Sequence, residues 1–155
     1  MRHFSMRSVW LGVLCWIMVA SPVLGQATFR FPVVGGIVLM PDQRTMIVSV
    51  TSQGKLVYID TVEEKELRSV EVDFQPTALA IQGKTLFAAV RGGSTVWMLD
   101  AETGKEIKEG RLPGEPVMRL DCHPRKGLVY AVNLNHEVHS IDPVSGMHHK
   151  TAGKG

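Results

Sequence analysis

Beyond residue 32 the hydrophobic positions fall into short runs, each closed by a polar break. Val33–Met40, Met46–Val50 and Lys55–Ile59 precede a charged, roughly alternating run, Glu66–Val72. The order recurs in Thr77–Ile81, Leu86–Val90, Thr95–Leu99 and Lys105–Leu112. It recurs again in Val117–Cys122, Leu128–Val132 and Glu137–Ile141. Runs this short and this rich in valine and isoleucine predict strands. In Thr95–Leu99, Val96 and Met98 point to one face and Trp97 and Leu99 to the other, so both faces read as covered. The breaks Pro41–Thr45, Ser52–Gly54, Gln82–Lys84, Arg91–Ser94, His123–Gly127 and Asn133–His136 predict turns. A fourth strand of the third set is due near Met147. The last eight residues offer little to bury, and this end is expected to fray.

The three sets are one repeat. Thr95–Lys108 (T-V-W-M-L-D-A-E-T-G-K-E-I-K) has counterparts in Lys55–Leu67 and Glu137–His149. Asp60, Asp100 and Asp142 lie 40 and 42 residues apart, and Val50, Val90 and Val132 stand ten residues before them. A period near forty with several strands per unit predicts β-propeller blades. The fold class is therefore all-β: a partial propeller of about three four-stranded antiparallel blades, with units about 33–74, 75–114 and 115–155. Each aspartate should cap its hairpin by accepting backbone N–H groups one or two residues on. Gly104 and Gly146 should supply the positive φ that closes the turn. Glu64 stands at that place in the first unit, so the first hairpin is expected to close differently. Three blades cannot close a ring, because propellers close with about four to eight. The chain thus reads first as a segment of a larger propeller, the alternatives being association with other chains or a shorter, irregular arrangement.

The sequences L-V-Y-A-V-N (Leu128–Asn133), the preceding H-P-R-K-G and M-P-D-Q-R-T-M-I-V-S-V (Met40–Val50) resemble exported bacterial β-propellers built from Tyr-Val-Thr-Asn-type repeats. V-W-M-L-D-A-E-T-G-K-E-I (Val96–Ile107) is equally similar to the repeat of quinoprotein-type propellers. The resemblance covers nearly all of Val33–Met147. It implies the scaffold and not an activity, because such repeats are structural. Quinoprotein dehydrogenases of this kind hold pyrroloquinoline quinone on the axis, often against adjacent cysteines and near calcium. This sequence has no Cys-Cys pair, so the resemblance implies no cofactor here.

The N-terminus reads separately. Arg2 and Arg7 precede the apolar run Val9–Ala20, and Ser21-Pro22 ends it before small residues suited to cleavage. That is the layout of a secretory signal peptide, assigned to residues 1–27, with 28–155 as the repeat segment. The protein is expected to be secreted or periplasmic, touching membrane only if the signal stays uncleaved. Seventeen basic residues face fifteen acidic ones, and cleavage would remove two of the basic ones. A near-neutral mature chain gives nucleic acid no basic face. Only Cys122 would remain, which excludes an internal disulfide and reads as a small buried hydrophobe.

Candidate chemistry is sparse. His136 and His139, with His148 and His149, could gather as metal ligands, but an odd separation along a strand puts side chains on opposite faces. Glu63, Glu64, Glu66, Glu102, Glu106 and Glu109 fall on turns and outer strands, where carboxylates are solvated. No Ser-nucleophile, phosphate-loop or dinucleotide motif occurs. The sequence therefore assigns no catalytic, cofactor-binding or metal residue, only the structural turn set Asp60, Asp100, Gly104, Asp142 and Gly146. The expected function is an exported, non-catalytic binding or scaffold module that meets protein, or itself, through open blade edges. The alternative is a piece of a quinoprotein- or lactonase-like propeller enzyme with its active site elsewhere. Loops Arg91–Ser94 and Asn133–His136 are the expected contact rim. Three units leave two sheet faces open, and neither shows a polar cover in the sequence.

Overall fold

A computed structural model describes residues 33–112, 114–123 and 125–152. Residues 1–27, the expected signal peptide, lie outside them. Among the described residues twelve strands form three sheets, each an antiparallel meander. Sheet one holds β1 (Val34–Leu39), β2 (Thr45–Val50), β3 (Lys55–Asp60) and β4 (Lys65–Glu71). Sheet two holds β5 (Pro76–Gln82), β6 (Thr85–Val90), β7 (Thr95–Asp100) and β8 (Glu106–Arg111). Sheet three holds β9 (Val117–Cys122), β10 (Val129–Asn133), β11 (Val138–Ile141) and β12 (His148–Ala152). The end of the chain is therefore not frayed through Ala152. Although β12 buries little, Ile141 pairs with His148 and Val138 with Ala152, so backbone pairing holds what side-chain burial does not.

The first strands bring the sheets together: β1 lies beside β5, and β5 beside β9. Period-two alternation then divides sheet two between its neighbours. Leu79, Leu86, Ala88 and Leu99 join Ile47, Leu56 and Tyr58 in one apolar cluster, with Trp97 against it. Ala78, Ala80, Phe87, Ala89, Val96 and Met98 join Val129, Ala131 and Ile141 in the other. Both faces of sheet two are thus buried, in two sheet-to-sheet joints. Burial of this kind stabilises at roughly 25 cal/mol per Å² of apolar surface.

At the first joint β1 approaches β5 backbone to backbone. A Cβ on Gly35 would stand 2.5 Å from the Thr77 carbonyl oxygen, and one on Gly36 would stand 2.6 Å from the Leu79 nitrogen. Only glycine fits there. The Thr51 hydroxyl, fully inside, donates to the Pro76 carbonyl at 2.6 Å and ties the same joint.

Candidate functional site

The three aspartates sit at equivalent hairpins between the third and fourth strands. Asp60 Oδ1 accepts the N–H groups of Val62 and Glu63 at 2.9 and 3.0 Å. Asp142 Oδ1 accepts those of Val144 and Ser145 at 2.7 and 2.9 Å. Asp100 Oδ1 accepts the N–H and the hydroxyl of Thr103, both at 2.7 Å. The bonds thus reach two and three residues on, not one or two, because the turn places those amides over the carboxylate. Gly104 and Gly146 take φ of 74° and 73°. Glu64 takes φ 50°, so the first hairpin uses the same left-handed conformation without glycine. Asp60 further accepts from Arg44 Nε at 2.9 Å, and this bond leads in holding its carboxyl at about 2.

These turns also join sheets. Arg68 on β4 donates to the Glu102 carbonyl in the turn of sheet two. Lys108 on β8, forty residues on, donates to the Val144 and Ser145 carbonyls at 3.1 and 3.0 Å in the turn of sheet three. Gly104 abuts Val70, and Gly146 abuts Met98 and Lys108, with no room for a relaxed Cβ. One cation and one turn glycine thus recur at both joints, a register invisible to single-position reading.

At the first joint the same elements enclose an open groove of about 570 Å³ between the sheets. Met40, Pro41, Leu67 and Ala101 give it apolar walls. Tyr58 and Arg68 line it from sheet one, and Lys84 from sheet two. Tyr58 is 1% exposed, and its hydroxyl has no hydrogen-bond partner among the described residues. The Arg68 guanidinium lies 3.5 Å above the Tyr58 ring. Burial raises the Tyr58 phenol pKa above its ordinary value.

The outward faces of the end sheets differ. On sheet one Ile37, Met46, Val48, Val57 and Ile59 belong to neither apolar cluster, and Ile37 and Leu39 are 60% and 47% exposed. On sheet three, pairing aligns Arg119 with Val132 and Val138, and Asp121 with Tyr130, Ser140 and His149. That face carries polar cover the hydrophobic pattern alone did not show. Ile47, Val129 and Ile141 lie buried in the joints, so they are not part of either open face.

The remaining candidates are structural or scattered. Trp97 stacks on Phe74 with centroids 5.6 Å apart, inside the first joint. His139 is buried, its ring 6.0 Å from that of His148, while His136 occupies a left-handed turn position. Glu137, gripped by Lys150 and Asn133, has its carboxyl held at about 2. Burial, with the Asp121 carboxylate, pushes the Cys122 thiol up to about 11, which keeps it protonated and unreactive at neutral pH. Loops Arg91–Ser94 and Asn133–His136 both connect second to third strands. The first also holds the next sheet, through Val117 N–H to the Gly93 carbonyl at 3.0 Å.

No protein-family model matches the sequence, and no curated protein matches it. Solved structures do. Kuenenia stuttgartiensis hydrazine synthase is similar at 23% identity and TM-score 0.68, over 81% of this chain and 38% of that one. The β-propeller domain of Myceliophteria thermophila Cps50 (Swd1) is similar at 18% and 0.60, over 76% and 38%. A chain of the mitotic checkpoint complex is similar at 16% and 0.64, over 76% and 36%. The chain spans less than two fifths of each of these structures. At such identities the likeness carries the fold alone, and with three four-stranded meanders it gives the architecture: this chain is a partial β-propeller of three blades.

Proposed function

We propose that the protein is an exported β-propeller module without catalysis of its own, which works by binding protein across its open sheet faces as part of a larger propeller. The observation that carries this reading is the outward face of sheet one. Ile37 and Leu39 stay exposed there, beside the half-buried Met46, Val57 and Ile59. An aliphatic side chain left in water, as Ile37 is, forgoes roughly 1.5–3 kcal/mol. A contiguous apolar face of this kind marks an interaction surface. The occupant is another blade, from a second copy or from further chain, since blade faces are what such faces meet at both joints here. The similar chain in the mitotic checkpoint complex belongs to a protein assembly, which supports a binding role. A second reading, a piece of a propeller enzyme, draws on the similarity to hydrazine synthase.

Size-exclusion chromatography with light scattering tests the binding reading. The full chain is expected to run above monomer mass at micromolar concentration, and Ile37→Glu with Leu39→Glu should return it toward monomer. A cooperative, strictly monomeric wild type would overturn the reading. Export is tested by N-terminal sequencing of protein recovered outside the cytoplasm. The expected start lies between Gln26 and Thr28, and an intact Met1 would overturn it.

A further inference from the structure

The groove at the first joint has a composition that neither blade packing nor the proposed protein contact explains. Its volume, about 570 Å³, falls in the range of small-molecule sites. Its walls are mostly apolar, with a few polar groups, which is how such sites are built. One of those polar groups lacks a hydrogen-bond partner and another lacks a counter-ion. The Tyr58 hydroxyl is buried and bonds to nothing among the described residues. Arg68 cannot relieve it, because a guanidinium has donors only and the phenol proton needs an acceptor. Among the described residues Arg68 itself meets a ring and a main-chain carbonyl, and no carboxylate. A buried orphan donor beside a guanidinium without a counter-ion calls for an anionic acceptor.

The acidic groups in the lining do not supply it. Asp42 is spent on its own turn: it accepts from the Arg44 and Thr45 amides, both at 2.9 Å, and from the Thr45 hydroxyl at 2.7 Å. Glu102 leans toward Lys84, at 3.9 Å. We propose that this groove binds a small organic carboxylate with an apolar body, such as an aryl-alkyl acid. The body lies along Met40, Pro41, Leu67 and Ala101. The carboxylate accepts from the Arg68 guanidinium, and as Arg68 turns off the ring to meet it, from the uncovered Tyr58 hydroxyl.

The test uses the full chain with 4-phenylbutyrate and its neutral counterpart, 4-phenyl-1-butanol, in titration calorimetry. The acid is expected to saturate one site, with the alcohol about tenfold weaker, the cost of losing one charge-assisted contact. Arg68→Met should weaken the acid about tenfold and leave the alcohol unchanged. Tyr58→Phe keeps the ring and removes the orphan hydroxyl, so the protein should melt no lower than wild type while acid binding falls several-fold. Equal binding of acid and alcohol, no saturation by the acid, or acid binding unchanged in both variants would each overturn the proposal.

Discussion

The two joints follow one repeat and differ in how they are filled. At the joint between sheets two and three, Met98 occupies the place that Tyr58 holds at the first joint, forty residues earlier. Its methyl stands 3.1 Å from the position of a Cβ on Gly146, so it closes the space under the turn. At the first joint the corresponding side chain ends in a hydroxyl without a partner, beside an open groove. The cations above them differ likewise. Lys108 spends its ammonium on two turn carbonyls, whereas the Arg68 guanidinium meets one turn carbonyl and spreads over the Tyr58 ring. The repeat therefore fixes which positions meet, and side-chain chemistry at those positions decides whether a joint is merely structural. The first joint is also the tighter at the inner strands. Leu39 pairs with Met46 and Ile81 with Leu86, so Gly36 of β1 corresponds to Ala78 of β5. Glycine there lets the first joint close on backbone, and alanine serves at the second.

That difference gives the largest expected effect. Gly36→Ala places a methyl 2.6 Å from the Leu79 nitrogen, on backbone that cannot yield without opening the joint. The expected loss is about 3 kcal/mol, the upper range for overpacking. Ala78→Gly at the matching place of the second joint should cost only about 1 kcal/mol, chiefly in chain entropy. Denaturant midpoints of the two variants read the asymmetry directly. Similar losses would mean that the joints are equally close and that the glycine pair is incidental.

Much of this was legible in sequence, and the reason is the repeat. Asp60, Asp100 and Asp142 marked the three hairpins, and ten residues earlier Val50 and Val90 marked strand ends, with Val132 one residue short of its own. Alternation at Val96–Leu99 divided the faces of sheet two correctly, since a strand buried on both sides has no freedom to slip. β12 starts where the repeat places it, near Met147, and only its expected fraying fails, because its stability lies in backbone pairing, to which composition is blind. The groove was illegible for a different reason. Tyr58 reads as an ordinary strand aromatic, and Arg68 as one charge of the alternating run Glu66–Val72. Their meeting depends on a bulge between Tyr58 and Ile59 that pairs Tyr58 with Arg68 in place of Leu67. Aligning Arg68 with Lys108 at forty residues was the signal that could have found it.

Acid should open the joints in sequence. The Glu137 carboxyl in sheet three is held at about 2 against an ordinary 4.5, first by Lys150 and then by Asn133. The Asp60 carboxyl in sheet one is held at about 2 against 3.8, first by Arg44. Both folded values are depressed, so each contribution is complete above the unfolded value and is lost as pH falls toward the folded one. The Glu137 share starts to fade near pH 4.5 and the Asp60 share near 3.8, both ending near 2. Sheet three should therefore loosen before the first joint, where Trp97 reports by fluorescence. Glu137→Gln should flatten the loss of stability between pH 4.5 and 2, and Asp60→Asn the loss that begins near 3.8. Simultaneous loss in fluorescence and circular dichroism, unchanged in both variants, would mean that other groups govern acid unfolding.

The smallest effect tests the one turn that departs from the other two. Glu64 holds φ 50°, where Gly104 and Gly146 hold 74° and 73°. A side chain in this left-handed region crowds its own backbone, at a cost of roughly 1–2 kcal/mol. Glycine removes the crowding but loses more freedom on folding, by roughly 0.5–1 kcal/mol. The difference predicts that Glu64→Gly raises stability by about 0.5 kcal/mol, seen as a small upward shift in melting temperature at every protein concentration. The reverse change in the second unit should behave oppositely. Gly104→Glu meets Val70 at 3.0 Å as well as the left-handed strain, because that turn faces a preceding sheet. The contrast also probes the open face of sheet one. By the same register, Glu64 stands where a preceding blade would bring the counterpart of Val70. If its side chain hinders such a blade, Glu64→Gly should raise melting temperature more as protein concentration rises, since association stabilises by mass action. A concentration-independent shift confines the effect to the turn. A decrease would show that Glu64 makes a contact worth more than its strain.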